Sequence, residues 1–268
     1  MKTYQAYLRM LQIWGGTKFS NFVRYWLGKR RTIREFYYNR KGLRKCGAFE
    51  KIDERDIRIL ASEIVDLRDS DGIDTDNLWV IGQGETTQCV CHQVAFALSS
   101  LATRTFHRRI TFDPQYIKKL MVERGYYKEG EGAIITNGLK AVRKECLKSG
   151  FVVDTEGNKY FIPNYKYVES GKDWRDALKK LHYIVTGLYV RHPMCDDNWF
   201  YRPQTSGGGH SVGAFNDSVG ASKLKTSWDK YGIKQGKTQN GNFWCRHTDE
   251  KVLMRGWIFP TITKIASV

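Results

Sequence analysis

The chain has 268 residues, is 41% hydrophobic and carries a formal charge of +16. That length can bury a core in one large domain or in two lobes. No stretch is long and apolar enough to cross a membrane, and the start, Met-Lys-Thr-Tyr-Gln-Ala-Tyr-Leu-Arg, lacks the apolar run of a signal peptide.

The charge is concentrated at the start. Residues 1–50 hold twelve Lys/Arg against Glu35 and Glu50, which is +10, and eleven aromatic residues lie among them. Mixing of rings and cations suits nucleic-acid contacts, since rings stack on bases and cations bind phosphate. It also suits an arm bound to anionic lipid or an acidic protein, or a solvated one. Tyr4, Tyr7, Leu8 and Leu11, then Phe19, Phe22, Val23 and Trp26, follow helical spacing, which favours packing. From residue 51 the charge is mixed, so the expected division is a basic aromatic arm over 1–58 and a globular domain over 59–268.

Asp69-Ser-Asp-Gly-Ile-Asp reads as a turn-rich loop leading to a short strand at 78–81, and Gln83-Gly84 as a turn. Thr86 and Thr87 supply N-cap hydroxyls for a buried helix marked by Val90, Val94, Phe96, Ala97 and Leu101. Asp113 and Pro114 start a second helix as cap and first residue. A third runs from Ile135 to Leu147 and stops at Gly150, and a fourth from Asp173 to Leu181. Strands are expected at 151–153, 183–190, from His210, at 224–228, 241–245 and 252–259. Helices dominate the first half and strands the second, which predicts an α+β protein with two lobes.

Cys89 falls in the first turn of the first of these helices. There the macrodipole and the unpaired backbone N–H groups favour a thiolate. Gln83, six residues upstream, brings an amide that can hold an oxyanion. A thiol nucleophile needs a histidine base, and six histidines are present. His210 stands apart because Ser206-Gly-Gly-Gly delivers it to the start of a strand. Sixteen residues later, Thr226 can orient its ring and Trp228 can cover that bond. The six cysteines (46, 89, 91, 146, 195 and 245) form no paired framework and are expected as thiols. Cys89-Val-Cys91-His92 is locally dense, but structural zinc sites show two clusters with regular spacing, so no metal or other cofactor is expected.

Taken together, residues 64–244 resemble a papain-like (C1-type) cysteine peptidase. Gln83-Gly-x-x-x-x-Cys89 resembles its oxyanion glutamine and nucleophile, and Cys89-Val90 its bacterial and viral variants. Residues 184–190 resemble the strand before the catalytic histidine. Gly209-His210-Ser-Val resembles Gly-His-Ala-Val, and Lys225-Thr226-Ser227-Trp228 resembles Lys-Asn-Ser-Trp. His210 follows Cys89 by 121 residues, against about 130–150 in the family. The resemblance implies a helical lobe and an antiparallel barrel-like lobe, Cys89 and His210 as catalytic pair, Gln83 at the oxyanion, and peptide or protein substrates. Thr226 stands where the family has asparagine, with a shorter reach. Hence a second expectation: a catalytically weakened module serving in an assembly such as a virus particle, attached through the arm, with the cytoplasm as the other expected location.

Overall fold

The computed structural model describes residues 48–49, 57–70, 72–73, 83, 86–190, 194–228 and 241–266, all within one compact unit, Lys45–Val268. The helices expected in the arm, Cys46 and the strand expected at 78–81 lie outside the described residues.

Four α-helices follow in order: α1 (Cys89–Phe106), α2 (Pro114–Val122), α3 (Ile135–Ser149) and α4 (Lys172–Lys179). α1 is buried from Cys89 to Arg104, as expected of a helix that is apolar nearly all round. Its polar side chains therefore need partners. Ser99 Oγ donates to the Ala95 carbonyl and accepts from Phe112 N, and Thr103 Oγ1 donates to the Ile110 carbonyl. α2 begins as its residues dictate, with Asp113 accepting from Gln115 N at 2.8 Å and Pro114 in the first turn. α3 stops at Gly150, whose φ of 83° is left-handed and whose N–H closes on the Cys146 carbonyl.

The strands are β1 (Ala48–Phe49), β2 (Tyr127–Lys128), β3 (Gly132–Ile134), β4 (Val152–Val153), β5 (Lys159–Phe161), β6 (Lys166–Val168), β7 (Ile184–Val190), β8 (Gly208–Ser218), β9 (Ala221–Thr226), β10 (Asn242–Arg246), β11 (Gly256–Ile258) and β12 (Thr263–Lys264). The second lobe is an antiparallel sheet of six strands in the order β10-β9-β8-β7-β11-β6. Two small sheets, β1-β3-β2 and β12-β5-β4, flank the helices. One hydrophobic core joins α1, α2 and α3; the other gathers Trp174, Leu188, Val212, Leu224 and Phe243 around the large sheet. The mixed α and β lobes agree with the α+β expectation. No helix among the described residues is long and apolar enough to cross a membrane.

Two expected strands have other bounds than read. Residues 250–252 are a 3-10 turn, and only Gly256–Ile258 continue as strand. Met254 explains the break, because its N–H and carbonyl are taken by the Gly187 carbonyl and the Thr186 hydroxyl across the sheet. β9 starts at Ala221 rather than Leu224 and ends at Thr226 rather than Trp228, because the Thr226 hydroxyl accepts the Trp228 N–H and turns the chain.

Candidate active site

α1 opens without a side-chain cap, which corrects the reading of Thr86 and Thr87. Both hydroxyls have nearer partners: Thr86 Oγ1 donates to the Gln83 carbonyl at 2.6 Å, and Thr87 Oγ1 pairs with Tyr127 Oη at 3.1 Å. Gln88 is the N-cap residue, and its side chain accepts from Gln115 Nε2 at 2.9 Å instead of folding onto the helix. The Gln88 side chain therefore leaves the first-turn N–H groups uncapped, where the helix end favours negative charge.

Cys89 is fully buried at this end. Cys91 points into the helical core, its Sγ 3.7 Å from Met121 Sδ, and burial pushes its thiol up to about 12. Burial likewise raises Cys195 to about 12 and shifts Cys146 and Cys245 upward. These four are packing residues in their chemistry, since an unionised thiol is a poor nucleophile. His92 is buried one turn beyond Cys89.

Gln83 docks on the end of β9. Its N–H donates to the Ser227 carbonyl at 3.0 Å, and its Oε1 accepts from Ser227 Oγ. Its Nε2 donates to the Thr86 carbonyl at 2.6 Å. A carbonyl only accepts, so this bond fixes which end of the amide carries nitrogen. One of the two Nε2 hydrogens is used, and the other has no partner among the described residues.

His210 is fully buried on β8, opposite Leu188 of β7. Its ring stacks on the Trp228 indole, with centroids 3.8 Å apart and planes 15° from parallel. Nε2 lies 2.6 Å from Thr226 Oγ1, so the shorter side chain does reach the ring. Trp228 N–H donates to that same oxygen at 3.2 Å. Nδ1 is buried and has no hydrogen-bond partner among the described residues. Burial drives the imidazole down to about 3, so it is neutral at ordinary pH. Gly241 holds Thr226 from behind: it accepts the Thr226 N–H at 2.8 Å, and a Cβ there would meet the Thr226 carbonyl at 2.8 Å.

The helix and the strands are tied on either side of Cys89. Gln83, six residues before it, bonds to Ser227, and Gln93, four residues after it, donates from Nε2 to the Lys225 carbonyl at 3.3 Å. Thr226 sits between those two anchors on β9. The structure thus brings Gln83, His210, Thr226 and Trp228 to one end of β9, beside the start of the helix that carries Cys89. Sequence reading missed Ser227 and Gln93. Gln93 had a signal: a polar residue one turn from Cys89 on the same face of an apolar helix.

Among the described residues no group of three or more His, Cys, Asp and Glu is arranged to hold a metal. A cavity of about 520 Å3 opens between the 60–68 segment and α4, but no site residue lines it. Its carboxylates are matched internally, Asp173 by Arg58 at 2.6 Å and Asp176 by Lys172 at 3.5 Å.

Solved structures with this arrangement of elements include procathepsin B S9 from Trypanosoma congolense, at a TM-score of 0.60 and 12% identity, covering 83% of this chain and 87% of that one. Xylellain, a cysteine protease from Xylella fastidiosa, matches at a TM-score of 0.55 and 18% identity over 81% of this chain and 96% of that one. The fold is that of the papain-like cysteine proteases. The cysteine protease and lectin-like domains of the Clostridium difficile surface-layer protein Cwp84 match at a TM-score of 0.59 and 9% identity, over 88% of this chain and 60% of that one. No family model matches the sequence, and no curated protein does. With identities this low, the papain-like likeness is one of backbone, and the chemistry rests on the side chains.

Proposed function

We propose that the chain is a papain-like thiol hydrolase that cleaves a peptide or isopeptide bond through Cys89 and His210. What supports the reading most is the imidazole: one nitrogen held by a hydroxyl, an indole over the ring, and the other nitrogen buried with no partner among the described residues. Nδ1, in the tautomer that leaves its lone pair free, is the atom that accepts the Cys89 proton. Because the ring is neutral at rest, the proton moves as Sγ attacks the carbonyl carbon. The tetrahedral oxyanion is met by the Cys89 N–H and the second Gln83 Nε2 hydrogen. The imidazolium then gives its proton to the leaving amine. Water, deprotonated by His210, attacks the thioester, and the carboxylic acid leaves with the thiol restored. Thr226 and Trp228 position the ring. Residues 59–268 form the hydrolase domain.

A peptide carrying a thiol-reactive electrophile is expected to label Cys89, to leave Cys91, Cys146, Cys195 and Cys245 unmodified at pH 7, and to label nothing in Cys89→Ala. Site mapping by mass spectrometry checks this, and label spread evenly over the cysteines would end the hydrolase reading.

One observation favours a second reading, a module that keeps the fold without the chemistry in an assembly: Cys89 and His210 are both fully buried. No labelling of a folded chain would select it. In either case we propose residues 1–50, with their excess of ten positive charges, as the contact for an acidic partner. Association with a polyanionic column is expected to weaken steeply with salt and to be lost on deleting those residues. Retention unchanged by the deletion would remove that role.

A further inference from the structure

We infer that Thr226 sets the tautomer of His210, holding the resting proton on Nδ1, where it blocks the ring from acting as a base toward Cys89. The inference deepens the hydrolase reading and rests on it for its consequence, though not for the position of the proton.

The argument is a count of donors and acceptors. A threonine hydroxyl has one hydrogen and two acceptor lone pairs. Among the described residues Thr226 Oγ1 has two partners, the Trp228 N–H at 3.2 Å and His210 Nε2 at 2.6 Å. The Trp228 N–H always donates, so it fills one lone pair. The other contact is met in one of two ways. If Nε2 carries the ring proton, it donates to Oγ1; the hydroxyl hydrogen is then left without an acceptor, and Nδ1 is a bare lone pair. If Nδ1 carries the proton, the hydroxyl donates to Nε2, and both Thr226 Oγ1 and Nε2 are satisfied. Only the Nδ1–H then lacks a partner.

Both groups are fully buried, and each unmade hydrogen bond counts heavily there. The first arrangement orphans a donor and an acceptor; the second orphans one donor. The second is the lower in energy. An asparagine would reverse the outcome. The Trp228 N–H demands an oxygen at this position, so the amide carbonyl faces it and accepts from Nε2–H as well. A carbonyl has no hydrogen to give, and the ring proton is confined to Nε2. The hydroxyl therefore does more than shorten a side chain: it turns an acceptor-only contact into one that also donates. The neutral ring at ordinary pH makes the choice between tautomers a real one. For catalysis the proton must first leave Nδ1, so Cys89 is held as a slow nucleophile.

The test is long-range nitrogen–proton NMR of the full chain labelled with 15N-histidine, with His210 assigned by comparison with His210→Gln. The expected spectrum shows Nδ1 protonated and Nε2 as the lone-pair nitrogen. In Thr226→Asn the proton is expected on Nε2, with alkylation of Cys89 by iodoacetamide faster by about a hundredfold, the lower end of the range for general-base assistance. Nε2 protonated in the wild-type protein would overturn the inference, whatever the kinetics and whether or not the variant folds. A proton that moves to Nε2 in Thr226→Asn with no gain in alkylation would uphold the tautomer assignment and count against the hydrolase reading instead.

Discussion

Acidification from pH 6.5 to pH 4 is expected to strip stability on the order of 5 kcal/mol from the fold, through two buried histidines. Burial lowers His182 from 6.5 to about 4 and His210 from 6.5 to about 3. Both are bases whose neutral form the fold prefers. Above pH 6.5 neither state of the chain binds the proton, and the stability is fully present. Below it the unfolded chain takes up two protons that the folded chain refuses, so stability falls by roughly 1.4 kcal/mol per pH unit for each ring. The loss levels off once the folded protein titrates as well, near pH 4 for His182 and pH 3 for His210. His182 explains its own burial: Nε2 is 2.7 Å from the Val65 carbonyl, pinning the 64–67 segment to the turn that precedes β7. Burial raises Glu250 in the opposite sense, so protonating it on acidification favours the fold and softens the slope. Urea titrations at pH 7, 6, 5 and 4 measure the effect. His182→Gln, which keeps an N–H donor for Val65 but cannot titrate, is expected to remove about half of the slope. A midpoint that does not move between pH 6.5 and 4.5 would contradict the burial of both rings.

Much of this architecture is legible in the sequence because it is local. Asp113 and Pro114 start α2 and Gly150 ends α3 as their backbone preferences require. The order Gln83, Cys89, His210, Thr226 and Trp228 along the chain resembles that of the papain-like fold. What the sequence does not carry is competition between partners. Thr86 and Thr87 have good cap propensity, yet Gln83 and Tyr127 take their hydroxyls, and a tertiary partner outweighs a propensity of about 1 kcal/mol. Ser227 reads as an ordinary residue at the end of a strand; its link to Gln83 spans 144 residues and leaves no periodic trace. The reach of Thr226 depends on how Gly241 and Trp228 hold the backbone around it, which spacing alone does not reveal.

Gly213→Ala is expected to lower stability by at least about 3 kcal/mol, combining overpacking with a buried hydrogen bond left unmade. A Cβ at residue 213 would lie 2.0 Å from both Cζ and the hydroxyl oxygen of Tyr183, far inside any real contact. The ring has nowhere to retreat. It stacks on Phe215 at 6.4 Å, meets Phe96 at 6.3 Å, and its hydroxyl donates to Gln93 Oε1 at 2.5 Å. Shifting it would break that bond and leave the Gln93 oxygen buried without a donor. For a domain of this size the loss corresponds to a fall in Tm of roughly 6–12 °C. The contact also matters for the site. Gly213 lies three residues after His210 on β8, and Gln93 four residues after Cys89 on α1. Gln93 in turn donates to the Lys225 carbonyl, next to Thr226. Tyr183 is therefore the brace that keeps the helix of the thiol in register with the strands of the imidazole. Tyr183→Leu removes the ring and should make a following Gly213→Ala nearly free, a coupling that a double-mutant cycle reads directly. Tyr183→Phe keeps the packing and loses only the bond to Gln93. Its expected signature is a smaller loss of stability, about 1–3 kcal/mol, with labelling of Cys89 slowed, because Gln93, which ties the helix to β9, is no longer held by the tyrosine hydroxyl. Additive melting shifts in the Gly213–Tyr183 cycle would show that the ring does not rest on the glycine, and labelling unchanged in Tyr183→Phe would separate the brace from the site.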